Sequence, residues 1–329
     1  MKKKILSILL CAAMASVMFA GCGPAANTQA PAESKAADKT AESNAAPASD
    51  KKVKVILITM DSLDQHWVAV DKGARKAVEE LGNVDYKWMS PDKKDDAQQI
   101  ERVNNAIADK ADAIMIAANG PDAISKSLED AKAKGIKIIY VDSPAKTEGV
   151  ATFATDNEAA GKTAGQEMLK ALQAAGKTSG KIGVISVNSA TASTVAREKG
   201  FRAAFDGKGY TLLQTQYGEG DATKSQDIAD NYITEGVVGI FGCNEGSTVG
   251  AGNAIKGSGK KDIIGVGFDK SDSIFSLIKD GSLLCTMAQN PDIMGYEGMK
   301  AAVKAVKGED VGQTQVDTGV SILNKDNIK

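Results

Sequence analysis

The chain has 329 residues, 43% of them hydrophobic and 25% charged, with a formal net charge of -2. That length accommodates two domains of ordinary size, and the balance is that of a globular protein rather than a long disordered one. A mildly acidic chain is a poor phosphate-backbone binder, so no nucleic-acid partner is expected.

Lys2, Lys3 and Lys4 precede the apolar run ILSILLCAAMASVMFA, and Gly21-Cys22 follow. A positive segment and then an apolar one too short for a convincing membrane span read as an export signal over 1–21. Phe19-Ala20-Gly21-Cys22 resembles the bacterial lipobox, with Phe in place of the usual Leu. The resemblance implies cleavage before Cys22, lipid on its sulfur, and an anchor to a membrane surface that does not span it; an ordinary secretory signal with an incidental Cys is the alternative. Residues 22–52, rich in Ala, Pro, Ser, Thr and Asn over 23–50, read as a flexible tether. No later stretch approaches the ~20 consecutive apolar residues of a transmembrane helix. Only Cys243 and Cys285 then remain for the folded part. A disulfide is allowed in an exported protein, but both stand in apolar runs, and free buried thiols are expected.

From Val53 onward, strand-like apolar runs alternate with helical spacing. VKVILITM leads to a helix over 65–81, YKWM to 96–109, and ADAIMIAA to 121–134, followed by IKIIYVD. ATFAT then leads to Asp156-Asn157, an N-cap signal, and an Ala-rich helix ending near Ala174. A second series follows: KIGVISV and a helix over 191–206, YTLLQTQY and 222–235, VVGIFGC and 246–256, IIGVGFD and 271–279, then SLLCTMAQ. A helix over 292–307 and a strand near 316–323 close the chain. This alternation predicts an α/β fold with parallel sheets covered on both faces. Ten or more such strands exceed one ordinary doubly wound sheet and divide the chain near Asp156.

The two series begin alike. Residues 53–78, VKVILITMDSLDQHWVAVDKGARKAV, and 181–205, KIGVISVNSATASTVAREKGFRAAF, share an apolar strand, a Ser, ten residues and a Gly. Ser62 and Gly73 answer to Ser189 and Gly200, and DKGARKA to EKGFRAA. Two such βα starts suggest two similar lobes with a small-ligand site where their polar turns face each other.

The order of elements, the strand-end pairs Asp142-Ser143 and Phe268-Asp269, the AREKGF segment, Cys243-Asn244-Glu245 and Ala288-Gln289-Asn290-Pro291 resemble a type I periplasmic binding protein of the ribose-binding group, over 53–328. The resemblance implies two doubly wound parallel-sheet lobes joined by a three-crossing hinge, the first formed by 53–155 plus 290–318 and the second by 156–289 plus 319–329. It implies an extracytoplasmic, monomeric protein that captures a monosaccharide or similar small polyol and delivers it to an ABC transporter permease. It places Asp64 at a polar contact, His66 and Trp67 where aromatic residues stack on the sugar, and Asp142 at a carboxylate receiving sugar hydroxyls. Arg197, Asn244, Asp269 and Gln289 match polar second-lobe or hinge contacts. The chemistry suits a polyol, since carboxylates accept from hydroxyls while Arg and Asn donate to them.

Two departures argue against ribose itself: Ser143 stands where ribose binders carry an Arg, and the turn Gly218-Glu219-Gly220-Asp221 lacks the usual aromatic. His66 in place of an aromatic ring points to a more polar or differently shaped ligand. His66 is also the only histidine, so a histidine-rich metal site or a Ser-His-Asp triad would depend on it. Neither the G-x-G-x-x-G nor the G-x-x-x-x-G-K-[ST] pattern occurs. No catalytic residue, metal or cofactor is assigned. For each candidate a plainer role competes: core packing for Trp67, an N-cap or lobe-lobe salt bridge for Asp142 and Asp269, a solvated helix face for Arg197. Two other functions remain open, a sensory module docking on a membrane receptor and, less favoured, an exported carbohydrate-active enzyme.

Overall fold

The computed structural model describes residues 51–328. The expected export signal, Cys22 and tether residues 22–50 lie outside the described residues.

The first series forms β1 (Val53–Ile58), α1 (Gln65–Leu81), β2 (Val84–Trp88), α2 (Asp96–Ala108), β3 (Ala113–Ile116), α3 (Ser125–Ala133), β4 (Lys137–Val141) and β5 (Ala151–Ala154). Every residue of β3 is buried, as a central parallel strand covered on both faces requires. The second series is α4 (Asn157–Ala174), β6 (Gly180–Ser186), α5 (Ala192–Ala203), β7 (Tyr210–Leu212), β8 (Gln216–Tyr217), α6 (Ala222–Thr234), β9 (Val237–Gly242), α7 (Glu245–Ser258), β10 (Ile264–Phe268), α8 (Asp272–Lys279) and β11 (Cys285–Gln289). The chain ends with α9 (Pro291–Lys307), β12 (Gln315–Asp317) and β13 (Val320–Asn324).

Two sheets result, ordered β2-β1-β3-β4-β5-β12 and β7-β6-β9-β10-β11-β13, with β8 also paired to β6 in the second. The two orders are equivalent, and each reverses direction at its first strand, β1 or β6. Such a switch point leaves a crevice beyond the strands' carboxyl ends. All pairings are parallel except β11 with β13. The single closing strand expected near 316–323 is two strands, one per sheet, separated by Thr318 and by Gly319 at a φ of 78°. YTLLQTQY likewise divides, because distant side chains take its carbonyls: Arg202 donates to Leu213 O and Tyr232 to Gln214 O. The helix expected from 121 starts at Ser125, after a turn in which Ile124 N donates to Gly120 O.

The chain passes between the sheets at 155–156, 289–290 and 318–319, and the three passages are hydrogen-bonded together. Asp156 N donates to Asp317 Oδ1 at 3.0 Å, and Asn290 Nδ2 to Thr318 O at 2.9 Å.

The repeated Ser-x10-Gly outline has a structural cause. Gly73 sits where α1 crosses α9, and a Cβ there would lie 1.9 Å from Asp292 O. Gly200 sits where α5 crosses α4, with a Cβ 2.0 Å from Glu158 O. No other residue permits either helix pair to approach so closely. These crossings fix the helix that follows β1 in one lobe and β6 in the other, and with it the turn that faces the crevice.

Candidate functional site

Beyond β1, the Asp61 carboxylate accepts from the Leu63 and Asp64 amides, both at 2.9 Å, which turns the chain into α1. Asp64 is the N-cap of α1, accepting from His66 N at 3.0 Å. This cap places His66 and Trp67 in the first helical turn, facing inward. Both are buried, and Trp67 also belongs to the first lobe's hydrophobic core, so its packing role and its place at the crevice coexist.

Asp142 and Asp269 occupy equivalent positions, the first residue after β4 and after β10. Both are left-handed, with φ of 65° and 74°. Both amides nonetheless stay in the ladder, donating to Phe153 O and Met287 O at 2.9 Å. Such backbone costs about 1–3 kcal/mol in a non-glycine residue. It swings each carboxylate off its strand into the crevice.

All eight sequence-assigned residues, Asp64, His66, Trp67, Asp142, Arg197, Asn244, Asp269 and Gln289, line one cavity together with Met60, Lys94, Val187, Thr191, Ser193 and Thr194. The lobes are closed on it. Its volume is about 20 Å³, space for about one water. His66 Nε2 lies 3.1 Å from Asp142 Oδ2 and Nδ1 lies 3.5 Å from Asp269 Oδ1. Nε2 is nevertheless without a well-directed acceptor, so the first contact is an ion pair whose N–H points elsewhere. Arg197 Nη2 stands 3.6 Å from the same Asp142 oxygen. Arg197 is otherwise tied down: Nε donates to Asn157 Oδ1 at 2.8 Å, Nη1 to Cys243 O at 3.0 Å, and the guanidinium lies 4.4 Å from the Phe268 ring centre. Burial in itself disfavours the charged form of each group, yet the ion pairs prevail. His66 is raised to about 10 by the two carboxylates, and Asp142 and Asp269 are held below the usual carboxylate range, by His66 above all and by Arg197.

Asn244 caps α7 through Oδ1, which accepts from Ser247 N and Oγ. Gln289 Nε2 donates to Asp269 Oδ1 at 2.6 Å. Each thereby leaves its other polar atom uncommitted at the cavity lining. Asn244 Nδ2, Gln289 Oε1, Trp67 Nε1 and Arg197 Nη2 are all buried without a partner. Ser143 Oγ donates to Asp142 Oδ1 at 2.6 Å and shares a 2.7 Å hydrogen bond with Ser193 Oγ of the other lobe.

Sequence reasoning missed Lys94, Asp61 and Glu245. Lys94 Nζ lies 2.5 Å from Asp61 Oδ2 and 3.3 Å from Asp64 Oδ2, and abuts Gly220 of the second lobe, where a Cβ would meet Nζ at 2.8 Å. In the sequence it stands in the run Lys93-Lys94-Asp95-Asp96, which looks like a solvated loop. Burial opposes its charge, but Asp64 and Asp61 raise its pKa. Glu245, in the first turn of α7, has its pKa raised by burial and by the facing Asp64. Among the described residues, no cluster of His, Cys, Asp and Glu could hold a metal, and no helix is long and apolar enough to cross a membrane. Cys243 and Cys285 are free and buried, their thiols pushed up to about 12 chiefly by burial.

Two α/β lobes joined by three crossings and closed on a polar crevice at both switch points define the type I periplasmic binding fold. A family model described as periplasmic binding protein domain matches residues 55–310, and the chain belongs to that family. Among its relatives, the ribose import binding protein of Haemophilus influenzae is 31% identical over 277 residues, spanning 82% of this chain and 91% of its own length. The ribose import binding protein of Escherichia coli is 28% identical over 263 residues, spanning 78% and 86%. Among solved structures, a carbohydrate transporter solute binding protein from Agrobacterium radiobacter in complex with D-arabinose aligns with a TM-score of 0.80 at 31% identity, covering 84% of this chain and 95% of that one. An ABC transporter solute binding protein from Agrobacterium vitis bound with α-D-tagatopyranose aligns with a TM-score of 0.79 at 27% identity, covering 84% and 96%.

Proposed function

We propose that this protein captures a monosaccharide or similar small polyol between its lobes and presents it to the permease of an ABC transporter. The observation that carries this reading is the set of buried, unpartnered atoms, Trp67 Nε1 and Gln289 Oε1 with Arg197 Nη2 and Asn244 Nδ2, on residues of both lobes that line one cavity. Each such atom costs about 1–3 kcal/mol when left without a partner. Sugar hydroxyls both donate and accept, so they satisfy the three donors and the acceptor and complete the coordination of Asp142 and Asp269.

A cavity of about 20 Å³ does not admit a sugar without opening, so binding proceeds through a hinge at the three crossings and ligand stabilises the closed state. The sugars in the names of the relatives, ribose, arabinose and tagatose, support the ligand class. Export and a lipid on Cys22 complete the reading, holding a monomeric binding protein at the outer side of the cytoplasmic membrane. Calorimetry against pentoses, hexoses and inositols tests it. Binding tighter than about 1 mM to at least one member is expected, and weaker binding to all of them refutes a monosaccharide ligand.

A further inference from the structure

His66 belongs to the first lobe, and its ring stands between one carboxylate of each lobe. Nε2 faces Asp142 at 3.1 Å and Nδ1 faces Asp269 at 3.5 Å. Ionised carboxylates only accept, and a neutral imidazole carries a single N–H. With a carboxylate oxygen within 3.5 Å of each ring nitrogen, both contacts are attractive only for the positive ring, the one to Asp142 as an ion pair rather than a directed hydrogen bond. Trp67 braces that ring edge-on, with centroids 4.6 Å apart and planes at 87°. Arg197 supplies a second cation 3.6 Å from Asp142. Deep in the cleft, two carboxylates thus already have two cations, all four groups nearly excluded from water.

We propose that His66 is a specificity-determining residue: a counter-cation shared by Asp142 and Asp269 that reserves the inner cavity for uncharged ligands and bars those carrying an ammonium group in place of a hydroxyl. The inference deepens the sugar-binding reading and rests on it. An ammonium group entering here meets His66 and Arg197 as like charges at short range, while the carboxylates that would attract it are already paired. A carboxylate or phosphate meets Asp142 and Asp269 instead. A hydroxyl adds no net charge, donates to a carboxylate and accepts from Arg197 or Asn244.

Calorimetry on the full chain tests the assignment with D-ribose, D-arabinose, D-glucose and D-galactose, each beside its 2-amino-2-deoxy counterpart, and with D-glucuronate and D-galacturonate as anions. For the sugar that binds best, the amine should bind on the order of 100-fold more weakly. In His66→Gln, which keeps a polar side chain without the charge, the disadvantage of the amine should shrink at least about tenfold, and that of the anions should grow. Equal binding of amine and neutral sugar by the wild type overturns the proposal, as do unchanged ratios in the variant. Should His66→Gln fail to fold, His66→Asn supplies the same ratio, and the wild-type comparison decides by itself. If no member binds the wild type, the sugar reading falls and this one with it; if sugars bind without discrimination by charge, only the role of His66 falls.

Discussion

The inner part of the cleft and its mouth are built from the same kinds of side chain but balanced differently. Inside, Asp142 and Asp269 share His66 and Arg197 across the lobe boundary, and acids and cations match. At the mouth, Asp61 and Asp64 share Lys94, and Glu245 faces Asp64 from the opposite lobe. The matched inner acids stay ionised despite burial. The surplus acid outside does not: Glu245 has its pKa raised by burial, by Asp64 from the opposite lobe and, less, by Asp269. The inner cluster therefore closes on a neutral ligand with its charges already settled, whereas closing the mouth draws in a proton.

Breaking the inner balance should have the largest effect. Asp142→Asn leaves His66 and Arg197 facing Asp269 alone and should weaken sugar binding about 1,000-fold, on the order of 4 kcal/mol, by calorimetry. Lys94→Met strips the mouth of its cation and should cost about 30- to 100-fold. Acidification should partly restore the Lys94 variant by protonating the acids left behind, and should give Asp142→Asn no gain beyond the pH response of the wild type. A variant pair with the same pH response would show that the two clusters are one.

The pH dependence of the wild type separates them further. Glu245 has its pKa raised in the closed state, so closure is favoured most below its ordinary value of 4.5 and loses that support as the pH rises. Affinity should fall about tenfold or more between pH 5 and pH 8, with about one proton taken up on binding, measured in buffers of different ionisation enthalpy. Glu245→Gln should flatten the curve. His66 adds stability that is complete below 6.5 and lost as the pH climbs toward 10, while Asp142 and Asp269 contribute above 3.8 and lose that contribution as the pH falls. Thermal stability should accordingly be greatest between about pH 4 and 6.5. The smallest change is Ser143→Ala, which removes one hydrogen bond between the lobes and should cost about fivefold in affinity, near 1 kcal/mol.

Much of this was legible in the chain because it is local. Apolar runs such as VKVILITM mark buried parallel strands, and Asp64, Asp142, Asn244 and Asp269 stand where a strand ends or a helix starts, the places a parallel sheet points at its ligand. Lys94 was not legible, because its importance comes from Asp61 and Asp64 some thirty residues away, and a lysine among charged neighbours carries no local sign of burial. The same reason hid the division of YTLLQTQY, where the competing donors Arg202 and Tyr232 arrive from other helices.

The amino-acid order by itself determined the alternation of strand and helix, the repeated outline ending at Gly73 and Gly200 and the list of polar groups beyond the strands, since each follows from periodicity, side-chain size or capping over a few residues. Only the tertiary structure decided which charges meet. Whether a carboxylate faces one cation, two or another acid depends on how the two lobes approach each other, and in a space nearly free of water those few ångströms set which groups keep their charge.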